Sequence, residues 1–200
     1  MRLLIFSGFL GSGKTTLIVA LAKRLAGAGH KTCFIVNEVG EVGIDQAVMR
    51  DDDLNVWEIT AGCICCQLGL DLVVTLQEIS ERYRPAVVIV EASGVATPSG
   101  ILDALTHYRG RPFVDQRLVT VVDPTRLRLL WEVMTPLVEA QIKQADEIVL
   151  TKLALASIEE VTSAGAIVQE VNPKATTWRI DAGDEEHLQP LLAHLTDSIR

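Results

Sequence analysis

The sequence predicts an α/β fold of three layers, with a mainly parallel sheet between helices on both of its faces. The first indication is a series of short, apolar and β-rich runs, such as residues 32–37 and 86–94. Runs of this kind are typical of parallel strands that are buried on both sides. The second indication is a glycine loop that joins the first apolar run to a helical pattern. Ligand loops of such folds follow the carboxyl ends of the strands.

Composition narrows the class of protein. Two hundred residues, 48% of them hydrophobic, fit one large domain over residues 1–200 with a sizeable core. The net charge of −8 argues against nucleic-acid binding, which favours a basic face. No apolar run approaches the roughly 18 residues of a membrane span, and the first residues lack a signal-peptide layout. We therefore expect a cytoplasmic protein that binds neither nucleic acid nor a membrane.

The glycine loop carries the most specific motif. Gly8, Gly13, Lys14 and Thr15 fill the pattern G-x-x-x-x-G-K-[ST] between an apolar run at residues 3–6 and a helical stripe. In such loops, backbone N–H groups and the helix start cradle phosphates, the lysine reaches the β- and γ-phosphates, and the threonine hydroxyl binds Mg²⁺. The motif predicts a P-loop NTPase fold. The residues predicted to bind the nucleotide here are Gly8, Gly11, Ser12, Gly13, Lys14, Thr15 and Thr16.

The remaining elements follow in order from apolar patterning. Further strands are predicted at residues 32–37, 54–59, 86–94, 118–123, 147–152 and 176–180. Helices are predicted up to Gly27 after the loop, from Leu68 to Pro85, over 126–144, over 157–171, and from close to Pro190 onward. Pro136 predicts a kink or break in its helix. Cys33 lies inside a predicted strand and is expected in the core.

Residues 38–45 form an acidic, glycine-punctuated segment after the second strand. One interpretation is a solvated surface loop. The other is a switch segment that senses the γ-phosphate and offers Glu38 or Glu41 to a metal ion.

Three of the four cysteines, Cys63, Cys65 and Cys66, lie within four positions. Thiolates are soft ligands that favour zinc, Cu(I) and, less exclusively, cobalt or nickel. Adjacent side chains on a strand point to opposite faces, so a shared ion requires a turn, which Gly62 permits. Three sulfurs leave a tetrahedral site one ligand short, which suits an ion that is handed on. The alternative is that the cysteines are small buried hydrophobic residues.

Glu91 emerges at the end of the third apolar strand. In P-loop proteins a carboxylate at this place contacts the Mg²⁺ shell or the attacking water, and a strand-end cap is the alternative. The histidines are scattered and are interpreted as ordinary surface or helix residues. They are His30, His107, His187 and His194.

Taken in order, these segments resemble the CobW family of P-loop GTPase metallochaperones. The matching stretches are residues 8–16, 37–45, 62–66, 91–94 and 151–152. The resemblance covers the GTPase domain, and we expect the C-terminal domain that family members usually carry to be absent. It implies binding of GTP and GDP, with Thr151 and Lys152 at the nucleotide. It also implies a transition metal, zinc or else cobalt or nickel, on the three cysteines, and delivery to a recipient metalloprotein or a corrinoid-dependent system.

One departure concerns the base. The family reads guanine with Asn-Lys-x-Asp, whereas this chain has Thr151-Lys152-Leu153-Ala154. Ala154 cannot accept hydrogen bonds from guanine. Since a lost hydrogen bond to a charged group lowers affinity by about 10- to 150-fold, selectivity for guanine falls unless another carboxylate substitutes.

The functional hypothesis is Mg²⁺-dependent GTP hydrolysis with Lys14 and Glu91, or else Glu41, as catalytic residues, coupled to retention of a metal ion. A P-loop small-molecule kinase is the first alternative, although it leaves the cysteines unexplained. A non-catalytic, nucleotide-gated zinc switch is the second. The three thiolates also leave room for a metal-bridged homodimer.

Overall fold

The computed structural model describes residues 1–36, 54–58, 67–181 and 185–196. Its strands are β1 (Arg2–Ser7), β2 (Thr32–Val36), β3 (Leu54–Glu58), β4 (Val87–Glu91), β5 (Asp115–Val122), β6 (Glu147–Leu150) and β7 (Thr176–Arg179). Its helices are α1 (Lys14–Gly27), α2 (Gln67–Arg82), α3 (Pro98–Leu105), α4 (Pro124–Lys143), α5 (Ile158–Val171) and α6 (Glu185–Thr196). A short 3₁₀ turn, Leu153–Leu155, follows β6.

The described strands form one sheet in the order β3-β2-β4-β1-β5-β6-β7, and every neighbouring pair is parallel. β1 is central, between β4 and β5. Parallel strands end at the same edge of a sheet, so the loops after β1, β4, β5 and β6 meet there. The predicted three-layer α/β fold is confirmed.

Both faces of the sheet are covered, because successive side chains of each strand point to opposite sides. On β1, Leu4 and Phe6 pack with α1 and α6, whereas Leu3 and Ile5 pack with α2 and α3. A third apolar cluster joins the strand ends of β5 and β6 to α4 and α5. This double burial explains why β1, β2, β4 and β6 read as continuous apolar runs rather than as alternating ones.

Cys33 confirms its predicted place in the core. The residue is completely buried in β2. Burial raises the pKa of its thiol to about 12, so the thiol is protonated at neutral pH and behaves as a small apolar side chain.

The kink predicted in α4 is confirmed, because Met134 has non-helical dihedral angles, φ −137° and ψ 34°, just before Pro136. The start of the last helix was predicted wrongly. α6 begins at Glu185 and contains Pro190 in its interior rather than in its first turn. Four leucines of α6 lie in the core, and their burial outweighs the local cost of a proline inside a helix. They are Leu188, Leu191, Leu192 and Leu195.

A buried carboxylate joins several elements at the edge of the sheet where the strands begin. Glu147, at the start of β6, is 1% exposed and accepts three hydrogen bonds or ion pairs. They come from Arg117 Nη1 at 3.0 Å, Trp178 Nε1 at 2.8 Å and His194 Nε2 at 2.8 Å. The cluster therefore joins β5, β6, β7 and α6.

In the part of the chain that the structure describes, no helix combines the length and the apolar character that a membrane crossing requires.

Candidate nucleotide-binding site

The loop between β1 and α1 owes its shape to its glycines. Gly8, Gly11 and Gly13 all have positive φ angles, a conformation that other residues adopt at a cost. At position 8 there is also no room, because a Cβ atom would lie 2.2 Å from the carbonyl oxygen of Val121. The first hydrogen bond of α1 runs from the Leu17 amide to the Gly13 carbonyl, so the preceding amides point toward the loop. The loop is therefore a cradle of backbone donors at a helix start, which suits an anion.

Lys14 brings a positive charge into this cradle. Its side chain is 3% exposed, and Nζ donates hydrogen bonds to the carbonyl oxygens of Gly8 at 2.8 Å and Phe9 at 3.1 Å. A buried ammonium group requires such acceptors. Phosphate oxygens are stronger acceptors than these carbonyls, because their hydrogen bonds with Lys14 are charge-assisted on both sides.

The end of β4 supplies a carboxylate to the same place. Glu91 is 3% exposed and accepts a hydrogen bond of 2.8 Å from the hydroxyl of Thr15. The register explains the meeting, because Glu91 pairs with Phe6 near the end of β1, just before the loop. A hydroxyl and a carboxylate oxygen are hard ligands of the kind that Mg²⁺ prefers, so these residues fit a magnesium ion.

β6 ends beside the loop as well. The hydroxyl of Thr151 donates to the carbonyl oxygen of Ser12 at 2.7 Å, and Lys152 Nζ lies 2.9 Å from Oδ2 of Asp123. Lys152 has a positive φ of 55°, an uncommon conformation for a residue with a side chain. The structure thus brings Thr151 and Lys152, predicted from the sequence to contact nucleotide, to the strand edge that carries the glycine loop.

Two further residues contact this site, and no sequence motif predicted their role there. Arg126, at the start of α4, donates from Nη1 to the carbonyl oxygen of Leu10 at 2.9 Å. Buried Gln141 holds the chain that follows Glu91 by donating to the carbonyl oxygens of Gly94 and Ala96 at 3.3 and 3.2 Å. These contacts join residues that are 45 to 116 positions apart. The Asp-Pro step before α4, a helix-start signal, was the one local clue to Arg126.

The predicted metal ligands Glu38, Cys63, Cys65 and Cys66, together with Glu41, lie outside the described residues. Within residues 1–36, 54–58, 67–181 and 185–196, no group of three or more His, Cys, Asp or Glu side chains could hold a metal ion.

A parallel sheet, a glycine loop, a helix start, a buried lysine and a threonine–carboxylate pair at one edge define a P-loop nucleotide-binding domain. The family model for the nucleotide-binding domain of CobW, HypB and UreG matches residues 2–179. The chain belongs to this family, as the resemblance of its motifs predicted.

Curated relatives include the zinc chaperone YeiR of Escherichia coli, which is 39% identical over 124 residues. The match covers 62% of this chain and 38% of that protein. Across curated relatives of this kind, the chain spans between 34% and 57% of their length.

Solved structures agree on the fold. Hydrogenase maturation factor HypB from Archaeoglobus fulgidus superposes with a TM-score of 0.73 at 19% identity, over 100% of this chain and 91% of that chain. The Zn(II)-bound YjiA GTPase from E. coli gives a TM-score of 0.63 at 22% identity, over 92% of this chain and 60% of that chain. At these identities the likeness concerns the fold alone.

Proposed function

We propose that this domain hydrolyses GTP with Mg²⁺, and that its nucleotide state controls a transition-metal site on Cys63, Cys65 and Cys66. The observation that carries the nucleotide half is the 2.8 Å hydrogen bond from Thr15 to Glu91 beside the Lys14 ammonium group. A hydroxyl, a carboxylate and an ammonium group at one glycine loop are the groups that phosphoryl transfer needs for positioning and charge neutralisation.

Each residue has a defined task in this proposal. Bound Mg²⁺ would supply positive charge to the phosphates, and Thr15 would hold the ion. Lys14 leaves the carbonyl groups of Gly8 and Phe9 and donates to phosphate oxygens. The loop amides donate to the remaining phosphate oxygens. Glu91 would orient the attacking water or the water shell of the ion, and Glu41 is the alternative for this role.

The metal half rests on the cysteines and on the family. Relatives are named zinc chaperones, and three thiolates in four residues suit zinc, with cobalt and nickel as alternatives. The chain order supports coupling to the nucleotide. β3 ends at Glu58 on the edge that carries the glycine loop, and α2 begins at Gln67, with all three cysteines between them in the chain. The recipient would be a metalloprotein or a corrinoid-dependent system.

The strand that precedes the acidic segment in the chain also ends at this edge. Val36, the last residue of β2, pairs with Glu91, and Glu38 follows two residues later. Glu38 is therefore proposed as a further metal ligand and the segment of residues 38–45 as the switch that senses the γ-phosphate.

Calorimetric titration tests both halves together. Metal-free protein is titrated with Zn²⁺ and Co²⁺ in the apo, GDP-bound and GTP-analogue-bound states, while phosphate release is followed in parallel with GTP and ATP. We expect metal affinity to depend on the nucleotide and to vanish when Cys63, Cys65 and Cys66 are all replaced by serine. Phosphate release should vanish in Lys14→Ala.

Equal metal affinity in all three nucleotide states would overturn the coupling and leave the cysteines a structural role. Nucleotide binding without phosphate release would favour the non-catalytic switch. Phosphate transfer that requires an added small-molecule acceptor would favour the kinase.

A further inference from the structure

The segment after β6 starts beside the glycine loop. It has no acidic side chain at position 154 that could recognise a guanine base. The hydroxyl of Thr151 donates a 2.7 Å hydrogen bond to the Ser12 carbonyl oxygen of the glycine loop, so the three residues that follow leave β6 beside this loop. At the end of these residues Ala154 carries only a methyl group. Guanine presents two N–H donors side by side, at N1 and at the 2-amino group, which a carboxylate with two oxygens can accept together.

The neighbouring strand supplies such a carboxylate. The Ile180 amide donates to the carbonyl oxygen of Leu150 at 2.9 Å, which continues the β6–β7 pairing by one residue beyond β7. Asp181 is the next residue and stands beside the chain that leaves β6. Its Oδ2 accepts a hydrogen bond of 2.8 Å from the backbone N–H of Ala154. A carboxylate therefore lies at the very residue whose own side chain has none.

The carboxylate of Asp181 can accept further hydrogen bonds from a ligand, whereas that of Asp123 is already engaged. Asp123 is 4% exposed and accepts hydrogen bonds from Lys152 at 2.9 Å and from the Thr125 hydroxyl at 2.7 Å. Asp181 is partly exposed, and among the described residues one hydrogen bond, to Oδ2, engages its carboxylate. The Ala154 amide fixes the orientation of the group and leaves the lone pairs of Oδ1 for a ligand.

We propose that Asp181 reads guanine in place of the missing side chain at position 154. Its carboxylate accepts the N1–H and 2-amino donors, and the Ala154 N–H holds it in position. Adenine presents a lone pair at N1, and xanthine presents a carbonyl oxygen at C2, so both bases face the carboxylate with repulsion. The inference rests on the proposed nucleotide site and assigns its base specificity to a residue outside the Asn-Lys-x-Asp motif.

The test measures dissociation constants of GDP, xanthosine diphosphate and ADP by displacement of a fluorescent nucleotide from the full chain. In Asp181→Asn, the amide oxygen still accepts from Ala154, which turns the amide NH₂ toward the base. We expect GDP to bind about 10- to 150-fold more weakly and xanthosine diphosphate more tightly than in the wild type, since the NH₂ group can donate to the xanthine carbonyl. Glu170→Gln is the matched control, because this exposed residue at the end of α5 loses the same charge.

A rescue variant guards against an unfolded or distorted protein. Ala154→Asp in the Asp181→Ala background returns an acid to the segment, and we expect it to recover preference for GDP over xanthosine diphosphate. Unchanged GDP and xanthosine diphosphate affinities in Asp181→Asn, or a wild type that binds GDP and ADP equally, would overturn the role of Asp181 while the nucleotide site stands. A wild type that binds none of the three nucleotides would overturn the nucleotide site itself.

Discussion

Glu91 and Thr15 form the smallest unit from which the proposed chemistry can be argued. Neither residue is close to the other in sequence, since they are 76 positions apart, and the parallel register of β1 and β4 brings them together. The hydroxyl donates a hydrogen bond to the carboxylate, so the hydroxyl oxygen of Thr15 keeps its lone pairs directed away from Glu91. Such lone pairs are what a hard cation or its bound water requires.

Glu91→Gln tests the charge of this unit separately from its shape. The amide oxygen can still accept from Thr15, so we expect folding and GDP binding to persist. Phosphate release should fall by about 10²- to 10⁴-fold, because the variant loses the anionic group that orients water or the Mg²⁺ shell. The measurement is turnover as a function of Mg²⁺ concentration, with Glu170→Gln as the control.

A rate in Glu91→Gln equal to that of the wild type would reduce Glu91 to a strand-end cap and would move the catalytic role to Glu41. A half-saturating Mg²⁺ concentration that rises while the maximal rate persists would assign Glu91 to the Mg²⁺ shell and the water-orienting task to Glu41.

Sequence reasoning at the residue scale found the groups that a motif lists and missed those that only folding assembles. Lys14 and Thr15 follow from their spacing to Gly8 and Gly13. Arg126 and Asp181 belong to no such motif. Arg126 contacts the Leu10 backbone 116 positions away, and Asp181 contacts the Ala154 backbone 27 positions away.

At the scale of elements, the conformation of the loop after β1 is constrained by its close packing against β5. Gly8→Ala would place its methyl group 2.2 Å from the Val121 carbonyl oxygen and would also strain a φ of +132°. Backbone cannot move aside as a side-chain tip can. We expect the free energy of unfolding to fall by at least about 2 kcal/mol, measured by urea denaturation.

Gly27→Ala is the matched control for Gly8→Ala. Position 27 ends α1, and an added Cβ atom meets no heavy atom within 4 Å. Alanine is a better helix former than glycine, so stability should stay level or rise by up to about 1 kcal/mol. Equal losses in the two variants would show that the close approach of the loop to β5 does not limit stability.

The elements that the sequence predicted well are those with long apolar patterns. α3 was missed because it spans only eight residues, although its Thr97-Pro98 start is a recognised signal. The start of α6 was misplaced because Pro190 was interpreted as a first-turn residue. Its leucine stripe decides the helix instead, and that burial depends on α1 and the sheet, which local sequence does not describe.

At the scale of the whole molecule, α6 and the glycine loop lie near opposite ends of β1. α6 closes the core over α1, and Arg2 of β1 donates to the Leu195 carbonyl oxygen at 2.6 Å. The glycine loop lies at the other end of β1, where the strands end. Stability and ligand binding should therefore be separable.

Leu191→Ala tests this separation. Leu191 is fully buried in the cluster of α1, α6 and the sheet, so we expect truncation to lower the free energy of unfolding by about 2–5 kcal/mol. Gln189→Ala on the same helix is the control, because this exposed side chain loses a surface hydrogen bond from Arg24 Nη1, so the change should stay below about 1 kcal/mol. GDP at about 100 times its dissociation constant should then add about 2.7 kcal/mol to the wild type and to both variants, because the ligand binds only the folded chain. A smaller increment in Leu191→Ala alone would mean that α6 supports the nucleotide loop through α1, and that the two ends of β1 are energetically coupled.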